Sequence, residues 1–311
     1  MAYYIGIDIG GTNMKTGVVS ESGEIISESS IPTGADRHQD IVLQDIIQTV
    51  KDAIKSSGLD QKEIKAIGMG SPGMMDYKTG SVIYNNNLGW RDFHICQFMR
   101  EAFGIPAILE NDADAAALGE VVAGSAKGAK SAMIITLGTG VGVGIVINDK
   151  IYRGSEFGHM VIAYGGRPCK CGRKGCFESY CSATGLINMT KEAIQANPKG
   201  ILADIAQSEG GVVSGHTVFD AADKGDDDAK RVIDEYISYL AVGLGNLING
   251  LNPEILSIGG GIGKQGERLL KPLRERIIPE IYEGLRSNFS KIVSCTLGYK
   301  AGLIGAAMAA R

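Results

Sequence analysis

Three thiols and an imidazole crowd into eighteen residues of this 311-residue chain: His159, Cys169, Cys171 and Cys176. That number and those types suit a tetrahedral zinc site of the three-cysteine, one-histidine kind. Cys169 and Cys171 are too near each other in sequence to bridge without strain. Gly172 and Gly175 permit the tight turns that convergence of the ligands needs. Four protein ligands leave no open position, so the expected zinc is structural and not a Lewis acid. Two acids bracket the set, Glu156 before it and Glu178 after it. A glycosidase could use such a pair. Beside a closed metal site, carboxylates that accept hydrogen bonds from sugar hydroxyls fit better. Asn87, Asn111 and Trp90 suit the same task.

A second kind of chemistry is written in glycine. Asp8-Ile9-Gly10-Gly11-Thr12 puts an acid at a strand end, followed by residues of little bulk. Backbone N–H groups of such a turn bind phosphate oxygens, Thr12 adds a hydroxyl, and Asp8 could hold a hydrated Mg²⁺. An ordinary tight hairpin accounts for the same residues. No Gly-Lys-Ser/Thr follows, so this is not a Walker loop. Gly138-Thr139-Gly140 repeats the logic, and the two turns together make a two-sided phosphate clamp. Gly259-Gly260-Gly261 follows a strand pattern. It either lets a base or ribose approach the backbone or is a plain strand-to-helix turn. Asn111-Asp112 stands between a short strand and an alanine-rich helix. One of the two caps that helix, or Asp112, held anionic by the helix dipole, orients a hydroxyl and takes its proton during phosphoryl transfer.

These residues need elements to hold them. Alternation predicts strands over 3–8, 15–19 and 25–31, with buried strands at 64–69, 107–109 and 255–258 and a last one at 293–297. Apolar residues at 42, 43, 46, 47, 50 and 54 predict a helix over 41–56. Ser71-Pro72-Gly73 reads as a tight turn, and 74–92 as a polar, glycine-containing stretch. Residues 112–122 and 301–310 read as helices, 184–240 as mostly helical, and 241–251 as a glycine-punctuated helix. Asp226-Asp227-Asp228 is a solvated loop or a helix start. Strand, glycine turn and strand occur at 5–19 and again at 133–147, which suggests two related α/β halves.

Length favours two domains. A net charge of −4 argues against nucleic acid as a standing partner. The longest uncharged stretch, Ser131 to Asn148, is broken by four glycines and reads as a hairpin, so no membrane span is expected. The first residues lead straight into a strand pattern without signal-peptide anatomy. A reducing, cytoplasmic setting follows as the expectation, in which the six cysteines favour metal ligation over disulfides.

Asp8-x-Gly-Gly-Thr12, Asn111-Asp112, Leu137-Gly-Thr-Gly140, Glu156-x-Gly-His159 and Cys169-x-Cys-Gly-x-x-Gly-Cys176-x-Glu178, in that order over the whole chain, resemble the ROK family (repressor, open reading frame, kinase). Within it the likeness is to the kinases that phosphorylate glucose with ATP. The resemblance implies an actin-like ATPase (ribonuclease H-like) fold with two α/β domains and an interdomain active-site cleft. Residues 1–112 with about 298–311 would form the small domain, and 113–297 the large one with the zinc motif. It implies Asp112 as the base toward the sugar 6-hydroxyl, and Gly73, Asn87, Asn111, Glu156, His159 and Glu178 as sugar-binding residues. His159 would bind zinc through one ring nitrogen and sugar through the other, the metal fixing ring orientation and tautomer. Asp8, Gly10, Gly11, Thr12 and Asn13 would face Gly138, Thr139 and Gly140 across the ATP phosphates, with Gly259, Gly260 and Gly261 near the adenosine. The implied activity is ATP:hexose 6-phosphotransfer with Mg²⁺. N-acetylmannosamine or N-acetylglucosamine is the alternative substrate, and a non-catalytic sugar sensor the alternative class. A homodimer or homotetramer is implied. Two departures stand out: Asn13 occupies a place where relatives often carry lysine, with Lys15 two residues later, and the Asn85–Trp90 run lacks a proline common among relatives. No DNA-binding module is expected before a first strand that starts at residue 3.

Overall fold

A computed structural model describes residues 1–85 and 88–311. Asn87, expected to touch sugar, lies outside the described residues. The chain folds into two compact units: 1–134 with 144–153 and 296–311, and 135–143 with 154–295.

The first unit is built on a sheet ordered β3-β2-β1-β4-β8. Its strands are β1 (Tyr3–Ile9), β2 (Asn13–Ser20), β3 (Ile25–Pro32), β4 (Ile64–Ser71) and β8 (Ala107–Asn111). The β1–β2–β3 meander is antiparallel, while β4 and β8 join parallel to β1. Such parallel joins require crossovers, supplied by α1 (Gln39–Ser57) and α2 (Ile95–Phe103). α1 buries Val42, Leu43, Ile46, Val50 and Ile54, the face its spacing predicted, and ends at Gly58 in the left-handed region. Between β4 and α2, the stretch read as merely polar forms a small sheet of β5 (Met74–Asp76), β6 (Ser81–Asn85) and β7 (Trp90–Phe93). Trp90 is not available to a sugar: it is 1% exposed and packs edge-on against Phe93 at 4.9 Å.

β8 runs directly into α3 (Asp112–Ala123), and α3 packs on the closing helix α11 (Lys300–Ala309). That contact is backbone to backbone: a Cβ on Gly305 would fall 1.6 Å from the Ala115 carbonyl oxygen. This packing puts α3 in the first compact unit, although the sequence reading placed residues from 113 onward in the second domain. Glu120, 1% exposed, reinforces it. Its carboxylate accepts the N–H groups of Ser125, Thr296 and Leu297 at 2.7–3.2 Å. A buried carboxylate is tolerated only with such a set of donors.

The second sheet runs β11-β10-β9-β12-β13, from β9 (Ser131–Leu137), β10 (Val141–Ile147), β11 (Lys150–Ile151), β12 (Ile255–Gly259) and β13 (Lys291–Ser294). Its order matches the first sheet position by position, the structural form of the repeat seen in the sequence. The second unit also carries the helices α4 (Phe177–Cys181), α5 (Ala183–Ala196), α6 (Ile201–Ser208), α7 (Thr217–Asp223), α8 (Asp227–Leu251), α9 (Gly260–Gly263) and α10 (Glu267–Arg276). The acidic run proves to be a helix start: Asp226 caps α8 by accepting from Ala229 N at 2.7 Å. The glycine-punctuated helix of 241–251 is the second half of that 25-residue element.

Candidate active site

The first glycine turn joins β1 to β2. Gly10 N donates to Asn13 O at 3.1 Å. Thr33, fully buried just past β3, fastens the rim: its hydroxyl donates to Gly10 O at 2.6 Å and its N–H to Thr12 O at 2.9 Å. With those carbonyls occupied, the exposed stretch Gly11–Asn13 has its N–H groups and the Thr12 hydroxyl to offer a ligand. Asp8 lies beneath, one residue before the end of β1 and opposite Lys15 in the ladder. A Cβ on Gly302 would come within 2.9 Å of its carboxyl, so Asp8 sits against the first turn of α11. Burial pushes Asp8 up to about 6; Lys15 pulls it down and Asp112 pushes it up. Lys15 also stacks its ammonium over the Tyr299 ring at 4.6 Å.

Asp112 is the first residue of α3. The capping role falls to Asn111, whose Oδ1 accepts from Ala113 N at 2.9 Å and Asp114 N at 3.4 Å. Asp112 Oδ1 accepts from Ala113 N at 2.9 Å, which fixes the carboxylate at the positive end of the helix. The structure thus places Asp8 and Asp112 in electrostatic contact, each at a helix N-terminus. Glu110, two residues earlier and 1% exposed, receives the Arg153 guanidinium on both oxygens, with Nε at 3.0 Å from each. Gly73 follows β4 with φ 111°. Asn85 holds the same turn, donating to Pro72 O at 2.8 Å and accepting from Leu88 N at 3.2 Å.

In the second unit, the ligand atoms of His159, Cys169, Cys171 and Cys176 lie within 4.8 Å of one another. Cys171 Sγ and Cys176 Sγ are 3.7 Å apart, and Cys169 Sγ is 3.6 Å from His159 Nδ1. Thiolates about 2.3 Å from a tetrahedral zinc are themselves roughly 3.8 Å apart, so the four residues fit that ion. Gly172 and Gly175 have φ of 87° and 81°, as the tight turns required. Cys169 N donates to Arg173 O at 2.8 Å, closing the loop. Burial, then the two neighbouring thiols, push Cys176 up to about 12, while the Arg173 N–H draws Cys171 down. Ligation needs thiolates, so Cys176 ionises together with cation binding. Nδ1 of His159 faces the thiols, which leaves Nε2 on the far side of the ring.

The second glycine turn, between β9 and β10, stands against this knot. Glu178 Oε2 accepts from Val141 N at 3.1 Å, and a Cβ on Gly140 would meet that oxygen at 2.3 Å. Ala183 N donates to Gly138 O at 2.7 Å and Thr184 Oγ1 to Thr139 O at 2.9 Å. Gly260 packs on Leu137, where a Cβ would meet the carbonyl oxygen at 2.5 Å, so Gly259–Gly261 neighbours the turn as well. Glu156 is exposed, and its carbonyl accepts from His159 N at 2.9 Å.

Comparison with known proteins decides the family. The ROK family pattern matches residues 4–311. The chain belongs to the ROK family. It is 37% identical to the glucokinase of Halalkalibacterium halodurans, over 97% of this chain and 93% of that one. Among solved structures it resembles a ROK family glucokinase from Streptomyces griseus in complex with glucose and AMPPNP, with 33% identity, a TM-score of 0.80 and 100% and 99% of the two chains covered. It also resembles the ROK hexokinase of Thermus thermophilus, with 29% identity, a TM-score of 0.84 and 99% and 97% coverage. The fold of this ROK protein is accordingly the actin-like ATPase fold.

Within this ROK chain, the structure brings Asp8 together with Asp112, and the metal ligands together with Glu178 and Gly138–Gly140. Thr33 and Thr184 hold the two glycine turns, and Glu110 and Glu120 are buried acids with bonded partners; none of the four was singled out from the sequence. The threonines carry no sequence signal, because any polar residue at a strand end or helix start looks alike. An acid at 120 amid apolar neighbours was a readable oddity, whereas Glu110 is masked by the polar Asn111 and Asp112 that follow it. Among the described residues, no helix is long and apolar enough to cross a membrane.

Proposed function

We propose that this ROK protein transfers the γ-phosphoryl group of ATP to the 6-hydroxyl of glucose, giving glucose 6-phosphate and ADP. The observation that carries the reading is Asp112: a carboxylate fixed at a helix start, capped by Asn111 and coupled to Asp8 below a phosphate-type turn. Similarity over the full chain to a glucokinase seen with glucose and AMPPNP supports the substrates. Asp112 accepts the proton of the 6-hydroxyl as its oxygen bonds to the γ-phosphorus and the bond to the β,γ-bridging oxygen breaks. Gly10–Asn13 and Gly138–Gly140 supply N–H groups to the phosphates, and Gly259–Gly261 accommodates the adenosine. Asp8 would hold Mg²⁺, which supplies charge neutralisation on the phosphates when bound. Glu156, Glu178 and the Nε2 of His159 hydrogen-bond the remaining sugar hydroxyls, and Gly73, Asn87 and Asn111 belong to the same set of proposed sugar-binding residues. His159, Cys169, Cys171 and Cys176 would hold a structural zinc, which would fix the orientation of the imidazole and leave the phosphoryl transfer to Asp112. The protein works in the cytoplasm as a homodimer or homotetramer.

A coupled assay across glucose, mannose, fructose, N-acetylmannosamine and N-acetylglucosamine tests the substrate. Preference for an N-acetylated hexosamine would reassign it, and ATP consumption with none of them would point to a sugar sensor. Asp112→Asn should lower kcat by about 10³-fold while leaving glucose affinity within about twofold. Near-wild-type turnover in this variant removes Asp112 as the base.

A further inference from the structure

The second glycine turn is held by the residues that surround the metal ligands. Gly158, one residue before His159, lies so close to the turn that a Cβ would fall 2.1 Å from Val141 O. On the other side, Cys176 is both a thiol of the knot and the N-cap of α4. From there a short strut follows. Phe177 is fully buried against α8, and Glu178 accepts from Val141 N at 3.1 Å. Cys181 O receives the Tyr236 hydroxyl at 2.7 Å, tying the end of α4 to α8. Ser182 caps α5 by accepting from Gly185 N at 3.0 Å. Ala183 N and Thr184 Oγ1 then reach the carbonyls of Gly138 and Thr139 at 2.7 and 2.9 Å. The turn backbone is thereby gripped at Gly138, Thr139 and Val141 by a segment that begins at a candidate metal ligand.

We propose that Thr184 is a positioning residue for the nucleotide phosphates, and that the metal knot sets nucleotide affinity through the strut from Cys176 to Thr184. The inference rests on the reading above, in which Gly138–Gly140 faces the ATP phosphates. Thr184 need not touch nucleotide: by holding the Thr139 carbonyl it keeps the adjoining N–H groups turned toward the phosphates. Zinc then serves both substrates, the sugar through His159 and the nucleotide through the strut.

The test is calorimetric titration of the zinc-loaded, full-length protein with magnesium-AMPPNP, alongside steady-state kinetics and metal analysis. Thr184→Val should weaken AMPPNP and raise KM for ATP, each about fivefold, the value of one hydrogen bond. Zinc content, kcat and glucose affinity should stay at wild-type levels. Thr184→Ser, which restores the hydroxyl, should bind AMPPNP like the wild type. Zinc-free wild type, prepared by chelation, should bind AMPPNP more weakly than zinc-loaded Thr184→Val. Unchanged AMPPNP affinity in Thr184→Val overturns the inference, and that arm keeps its zinc even if the zinc-free protein unfolds. Wild-type protein that binds no AMPPNP overturns the kinase reading itself, and so the two failures are told apart.

Discussion

The turn at Gly10–Asn13 and the turn at Gly138–Val141 occupy the same place in two sheets of matching strand order. Both have backbone carbonyls tied by hydrogen bonds, and in both a threonine hydroxyl takes one of them. Their supports differ in origin. Thr33 belongs to the first sheet's own edge and is fully buried, so the first turn is finished by the sheet that bears it. Thr184 and Glu178 come from helices that follow the metal ligands, so the second turn is finished by an insertion. One turn rests on the packing of its own sheet, and the other on a segment that begins at a candidate metal ligand. The acids divide the same way: Asp8 and Asp112 lie with the first turn, and Glu156 and Glu178 with the knot.

Removing the metal gives the largest expected separation of the two turns. In Cys176→Ser, or in chelated protein, amide hydrogen exchange over 138–141 and 156–184 should speed up by about 100-fold or more, because thiolates left without a cation cannot hold the loop. Exchange over 9–14 should stay within about twofold. Equal loss at both turns would show that the two are held in the same way.

Asp8 provides the next test, specific to the first turn. Its carboxyl is raised to about 6 from an ordinary 3.8, so folding favours the protonated form. The stability linked to this group is therefore present below about 4 and is lost as pH rises through about 6. Asp8→Asn should stabilise the ligand-free protein at pH 8 by about 3 kcal/mol and leave it nearly unchanged at pH 4, as read from urea unfolding. The same variant should lose the acid limb of magnesium-nucleotide binding near pH 6. A stability gain independent of pH would assign the effect to packing instead.

Thr33→Val is the smallest of the three. It removes the hydroxyl that bonds the half-buried Gly10 carbonyl and should cost about 1–2 kcal/mol in urea unfolding. Because Thr184 is only half-buried, Thr184→Val should cost less stability than Thr33→Val. A reversed order would show that the second turn is the more tightly held.

The hairpins, the α1 face and the cysteine-histidine ligand set were legible because local patterns carry them: a period of two, a period near 3.6, and ligand types at close spacing. The small sheet over 74–93 was not, because its short strands are interrupted by turn residues and carry little periodicity. Trp90 was misassigned for a related reason: an aromatic residue reads alike whether it faces a sugar or closes a core. The boundary at 112/113 followed motif order, whereas the packing of α11 on α3 joins segments nearly 200 residues apart.

The sequence by itself determined the candidate reactive groups, the glycines that let a backbone turn tightly, and the candidate metal-ligand set, since each depends on residue type and near neighbours. Only the tertiary structure decided which partner each group has. It set Asp8 against Asp112 and α11, gave Asn111 the capping role, and brought Glu178 and Thr184 to the second turn. Those pairings depend on burial and on distances closed by the fold, and a linear spacing of 37 or 45 residues contains neither.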